Sequence, residues 1–219
     1  MTDFETRTMK GTTTLGLACK NGAIIAADKR ASMGYFIASK DVKKVFNIND
    51  TTAMTVAGSV GDAQWLVRLI RAEASHYEIA NGKKMSTSAI ATLISNILQG
   101  SKYYPFLVQL LIVGFDGTTA GIYSLDPVGG LTCESAASTG SGSPMAYGVI
   151  DQEYKKEGMV DDNLRVALKA LSSAMSRDIA TGEGIMLVTI TEDGYREYTN
   201  DEIDKLHEGI KKHYVNQMI

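Results

Sequence analysis

The stretch GTTTLGLACKNGAIIAAD, residues 11–28, reads as a β-hairpin. Leu15, Leu17 and Cys19 alternate onto one face, Asn21-Gly22 supplies a tight turn, and Ala23 to Ala27 continue as an apolar run. Working outward, Val45-Phe46-Asn47-Ile48 and Thr52-Ala53-Met54-Thr55-Val56 flank the polar turn Asn49-Asp50-Thr51, a second pair of short strands. Ala63, Val67, Ile70, Ala74 and Tyr77 then recur at helical spacing up to Asn81-Gly82. Ser86 opens a second helix through Ile90, Leu93, Ile94 and Ile97.

Segments 108–115, 120–125 and 131–137, separated by Asp116-Gly117 and by the turn Asp126 to Gly130, predict a three-stranded meander whose nearly all-apolar first strand is central. A loop over 138–143 follows, with Pro144 in the first turn of a helix and Asp161 or Asp162 capping another. Ile185 to Ile190 and Tyr195 to Tyr198 form a last hairpin around Glu192-Asp193-Gly194. The chain closes on a helix with the stripe Ile203, Leu206, Ile210. Blocks of antiparallel strands separated by helix pairs predict an α+β layered domain, and 219 residues require only one.

Composition narrows the function. A net charge of −3, from 22 basic and 25 acidic residues interspersed along the chain, provides no stripe for a phosphate backbone, so nucleic acid is not an expected partner. Cys19 and Cys133 lack metal-ligand or disulfide spacing and read as small buried residues. Residues 1–11 resemble neither a secretory signal nor a transit peptide, and no apolar run reaches membrane-spanning length, so a cytoplasmic protein is expected. His76, His207 and His213 fall on predicted helices among charged neighbours and read as solvated. Gly140-Ser141-Gly142-Ser143 lacks both a third glycine and a following lysine, so a tight functional loop is preferred to a dinucleotide site.

GTTTLG, AADKRAS, KKVF and AGSVGDAQ, followed by TGSGSPMAYG and RDIATG, occur in the order and approximate spacing seen in proteasome β-subunits. Over nearly its whole length the chain resembles the archaeal members. The resemblance implies a four-layer α-β-β-α sandwich with two antiparallel sheets, the N-terminal nucleophile hydrolase fold. It implies a threonine endopeptidase of broad specificity, with residues 1–11 a propeptide removed by autocleavage between Gly11 and Thr12, and 12–219 the catalytic domain. An N-terminal threonine carries both a hydroxyl nucleophile and an α-amine of pKa about 7.7–8.0, so the base is built in. While Gly11 is attached, that nitrogen is an amide and has no basic lone pair. Gly11 lacks a Cβ, which permits the backbone conformations that bring the Thr12 hydroxyl to the preceding carbonyl.

Strand parity places Lys44 with Phe46 and Ile48 and Lys43 with Val45, and does not choose between the lysines. The resemblance selects Lys44, with Asp28 holding it protonated, and leaves Lys43 solvated. It further implies Ser141 and Asp178 as supports around the threonine amine and Gly58 as the oxyanion donor. Main-chain groups of Ser32, Gly58 and Val60 would pair with an extended substrate. Ala31, Val42, Phe46, Val56 and Val60 would line a first pocket that favours hydrophobic residues. Thr181 stands where the family usually has serine, which keeps a hydroxyl and adds a β-branch. No metal or cofactor is implied. The expected partners are α-subunits and further copies of the chain in stacked seven-membered rings, an ATP-dependent unfoldase and unfolded polypeptides. Two other readings are a bacterial two-ring threonine protease and a non-catalytic ring subunit, and the presence of Thr12, Asp28 and Lys44 together speaks against the second.

Overall fold

A computed structural model describes residues 11–217 of the chain, with side chains described up to residue 208. The hairpin is present as β1 (Thr13–Cys19) and β2 (Gly22–Asp28), followed by β3 (Ala31–Met33), β4 (Phe36–Ser39), β5 (Val45–Asn49) and β6 (Thr52–Gly58). Helices α1 (Val60–Asn81) and α2 (Thr87–Gly100) lead into β7 (Val108–Phe115), β8 (Ala120–Leu125), β9 (Leu131–Glu134) and β10 (Ala136–Gly140). Then come α3 (Ser143–Glu153), α4 (Val160–Arg177), β11 (Ile185–Thr191), β12 (Gly194–Glu197) and α5 (Asn200–Gln217).

Two five-stranded antiparallel sheets result, β10-β1-β2-β11-β12 and β5-β6-β7-β8-β9, with β3-β4 as a separate small hairpin. Three apolar layers glue them. Leu15, Leu17, Ile24 and Ala26 turn outward to Leu164, Leu168 and Leu171 of α4. Met54, Val56, Leu110 and Ile112 turn outward to Leu66 and Ile70 of α1 and Ile90 and Ile94 of α2. Between the sheets, Ala23, Ile25 and Ala27 meet Val45, Ala53, Leu111 and Val113. Both faces of the central strands are therefore dry, which is why β2 and β7 read as apolar runs rather than alternating patterns. The order is α-β-β-α, as the sequence resemblance implies.

Four local expectations are corrected. The predicted third strand of the meander breaks at Ser135: Leu131–Glu134 stays in the second sheet, whereas Ala136–Gly140 crosses to pair with β1, Leu17 opposite Ala136 and Thr13 opposite Gly140. The loop predicted over 138–143 is correspondingly short, because Ser138 to Gly140 belong to β10. Asp162 does not occupy the cap position of α4; Met159 does, and the Asp162 carboxylate accepts its N–H at 2.9 Å. Cys19 is buried, its thiol pushed up to about 11 by that burial, but Cys133 is exposed because β9 is an edge strand open on both faces. Ile210 and His213 lie outside the residues whose side chains are described, while His76 is exposed and His207 half-buried.

The sheets approach closely at Gly16, where an added Cβ would stand 2.7 Å from Val113 Cγ2 and 3.1 Å from Ile122 Cγ2. At Gly100, the last residue of α2, an added Cβ meets nothing within 4 Å and φ is not positive. Gly16→Ala should therefore destabilise the fold by about 1–3 kcal/mol through overpacking. Gly100→Ala should stabilise it by about 0.4–1 kcal/mol through the unfolded chain. Denaturant unfolding of the two variants, read for opposite shifts in midpoint, checks both.

Candidate active site

Thr12 lies immediately before β1, where the open ends of the two sheets face each other, and is 3 % exposed. Two glycines let the chain approach it. A Cβ at Gly140, whose φ is +94°, would stand 2.0 Å from the Thr12 carbonyl oxygen, and one at Gly142 would stand 2.1 Å from Thr13 Oγ1. The Gly-Ser-Gly stretch thus wraps the start of β1 rather than cradling a phosphate. Ser141 between them accepts the Thr12 N–H at 3.2 Å and donates to Asp178 Oδ2 at 2.6 Å.

Asp28 ends β2 fully buried and accepts four hydrogen bonds. Thr13 N–H (2.9 Å) and Lys44 Nζ (2.6 Å) reach Oδ1, while Arg30 N–H (3.1 Å) and Gly182 N–H (3.0 Å) reach Oδ2. Both Lys43 and Lys44 precede β5, so strand alternation does not govern either. Lys44 is the lysine turned inward, 5 % exposed, whereas Lys43 lies half-exposed and pairs with Glu197 at 3.6 Å. Burial pushes the Lys44 ammonium below its ordinary pKa of 10.5, and the Asp28 carboxylate opposes that shift. Removal of only one partner would leave a buried charge without compensation.

Asp178 follows α4 and opens the loop to β11. Its Oδ2 also accepts from Thr181 Oγ1 at 2.5 Å, and its Oδ1 from Ala180 N–H at 3.1 Å. Arg30 straps this loop, donating to the Ile179 carbonyl (2.8 Å) and to Glu183 (3.1 Å) with its guanidinium against Gly182.

Gly11 is held from two sides. Its N–H donates to the Ser32 hydroxyl at 3.2 Å, and its carbonyl oxygen accepts from Thr12 Oγ1 at 2.7 Å. Its glycine identity has a steric reason here, since a Cβ would lie 1.7 Å from Ala180 Cβ; no positive φ is required.

A cavity of about 360 Å³ opens beside Gly11 and Thr12, lined by Ala31, Val42, Phe46, Val56, Gly58 and Val60, together with Ala63, Gln64, Asp41, Lys43 and Lys44. All five pocket residues expected from the sequence are there; Ser32 instead contacts Gly11. Gly58 has φ +132° and no room for a Cβ, which would stand 2.1 Å from the Leu107 carbonyl oxygen. Ala63 and Gln64 were missed, although they follow Val60 by three and four residues and must share its face of α1. Among the described residues no His, Cys, Asp and Glu cluster could hold a metal ion, and no helix is long and apolar enough to cross a membrane.

An α-β-β-α sandwich with a buried threonine at the head of its first strand, between a Lys–Asp pair and a hydroxyl–carboxylate pair, defines a hydrolase of the N-terminal nucleophile class. The proteasome subunit family model matches residues 8–190. The chain is 51 % identical over 206 residues to a proteasome subunit beta of Ferroglobus placidus, covering 94 % of this chain and 98 % of that protein. Identity to the proteasome subunit beta of Methanococcus maripaludis strain C7 is 50 % over 212 residues, 96 % and 97 % of the two chains. For that of Archaeoglobus fulgidus it is 50 % over 207 residues, 94 % and 97 %. The chain belongs to the proteasome subunit family, as a catalytic β-type subunit of the 20S core with threonine endopeptidase activity, assembling with α-subunits.

Asp28→Ala, which strands the Lys44 charge, should cost about 3–5 kcal/mol of stability. Asp28→Ala combined with Lys44→Met should recover a large part of that loss. A double-mutant cycle in denaturant checks it; additive losses would show that the pair is not coupled.

Proposed function

We propose that Thr12 is the nucleophile and that the chain frees it by cleaving its own Gly11–Thr12 bond. The observation that carries this reading is the Thr12 hydroxyl, 2.7 Å from the Gly11 carbonyl oxygen, between the buried Asp28–Lys44 pair and the more exposed Ser141–Asp178 pair. Thr12 Oγ attacks the Gly11 carbonyl carbon, the C–N bond breaks, and the hydroxyl proton passes to the departing nitrogen, which leaves an ester. Water hydrolyses the ester, releasing residues 1–11 with a C-terminal carboxylate and restoring the Thr12 hydroxyl beside the α-amine freed in the first step. That amine then serves as the base for the same hydroxyl in each later turnover.

Lys44, held by Asp28, stabilises the developing alkoxide by its positive charge, and the Gly58 backbone N–H is assigned to the oxyanion of the tetrahedral intermediate. Ser141, itself held by Asp178, holds the amine nitrogen. Main-chain pairing at Ser32, Gly58 and Val60 accepts substrates of many sequences, while the apolar wall of Ala31, Val42, Phe46, Val56 and Val60 favours a hydrophobic residue before the cut. Because Lys44 is held below its ordinary pKa, its charge is lost at a lower pH than that of a solvated lysine. Activity should accordingly fall on the alkaline side before pH 10.5. The working particle is placed in the cytoplasm, fed with unfolded polypeptide by an ATP-dependent unfoldase.

Intact mass of the β-chain after co-assembly with its α-subunit tests the reading. Wild type should lose residues 1–11 and Thr12→Ala should keep them with no peptidase activity; wild-type chains left uncut in complete particles would sink it. A cleavage-site survey of an unfolded protein should be dominated by hydrophobic residues before the cut, and a profile led by charged residues would refute the pocket assignment.

A further inference from the structure

Four hydroxyls and two carboxylates meet around Thr12 and Thr13, at the head of β1, and their protons can be assigned by counting donors. An ionised carboxylate only accepts, so Asp178 Oδ2 takes one proton from Ser141 (2.6 Å) and one from Thr181 (2.5 Å). The single Ser141 proton is thereby committed to the carboxylate rather than to the Thr12 carbonyl at 3.3 Å, and Ser141 Oγ is left to accept the Thr12 N–H. The single Thr181 proton is likewise committed, so across the 2.8 Å contact between Thr13 Oγ1 and Thr181 Oγ1 the donor must be Thr13. Thr13 and Thr181 are both fully buried, so no water substitutes for either. The Thr13 main-chain N–H meanwhile donates to Asp28 Oδ1, the oxygen that also holds Lys44.

We infer that Thr13 is a positioning residue that joins the two halves of the site: its amide fixes the Asp28–Lys44 pair and its hydroxyl fixes the Thr181–Asp178–Ser141 chain that ends on the Thr12 nitrogen. This rests on the reading of Thr12 as an N-terminal nucleophile. The β-branch of Thr181 leaves its hydroxyl fewer rotamers than a serine would have, which narrows the orientations from which the Thr13 donor selects.

Loss of the Thr13 hydroxyl has a directional consequence. Thr181 loses the donor that fixes its orientation, Asp178 loses a firmly held O–H, and its charge falls more fully on Ser141 and the amine beyond. An ammonium beside a less compensated carboxylate is favoured, so the amine stays protonated to higher pH. The other charged groups around it are Asp28, Lys44, Arg30 and Glu183, with Asp41 and Lys43 at the pocket, and none is altered by a change at Thr13.

The test uses complete particles with wild-type, Thr13→Val and Thr13→Ser β-chains, each checked by intact mass and assayed as kcat/KM against pH on a hydrophobic peptide. In Thr13→Val the acid limb should move up by about half a pH unit, the effect of weakening the one hydrogen bond from Thr181 to the carboxylate. That is about threefold lower activity below the limb, converging on wild type at the plateau. Thr13→Ser should keep the wild-type limb. If Thr13→Val does not assemble, Thr181→Ala removes outright the hydrogen bond to Asp178 that Thr13 is inferred to orient, and should shift the limb at least as far. A limb that stays in place in these variants, or one that moves equally in Thr13→Ser, overturns the inference. Uncut, inactive wild-type particles would instead overturn the reading of Thr12 on which it rests.

Discussion

One buried carboxylate holds the site together. Asp28 is fully removed from water and could not stay charged there without compensation, which it receives from an ammonium and three backbone N–H groups. The four donors come from four places: the first strand, the turn after the second, the segment before β5, and the loop after α4. A single side chain at the end of β2 therefore dictates where a threonine, a lysine and the Asp178 loop lie relative to one another. The remaining architecture keeps Asp28, Lys44, Thr13 and Thr181 out of water.

The two sheets serve this by closing on each other with small residues. Ala23, Ala27, Ala53 and Gly16 allow an inter-sheet spacing that large side chains would widen. Thr14, Thr55 and Thr139 bridge the gap with a hydroxyl chain of 3.1 and 2.7 Å just behind the site. The polar inter-sheet contacts continue directly from the catalytic end into the core, so the placement of Thr12 is backed by packing rather than by a surface loop.

Much of this was legible in the sequence, for identifiable reasons. β2 and β7 carry continuous apolar runs because both faces are buried, and α1 and α2 announce themselves through apolar residues at helical spacing, with Gly82 after α1 and Ser86 before α2. The exchange of β10 to the other sheet was not legible, because Ala136 to Gly140 are small residues whose alternation is the same in either partner. The β3-β4 hairpin was missed because its side chains are mostly exposed and carry no apolar period. In the site, Lys43 and Lys44 could be ranked only by resemblance, since both sit outside the strand whose parity might have separated them. The bond between Thr13 and Thr181 joins residues 168 apart in the chain and leaves no local pattern at all.

Gly11 touches Ala180 and Ser32 yet sends no side chain into the 360 Å³ cavity beside it. On the proposed reading, the first bond this chain cuts is thus its only substrate that the pocket never inspects. Maturation and selectivity then draw on separate surfaces of one site. The lining at Ala31, Phe46 or Val56 can drift toward a new diet of peptides without any descendant losing the ability to switch itself on.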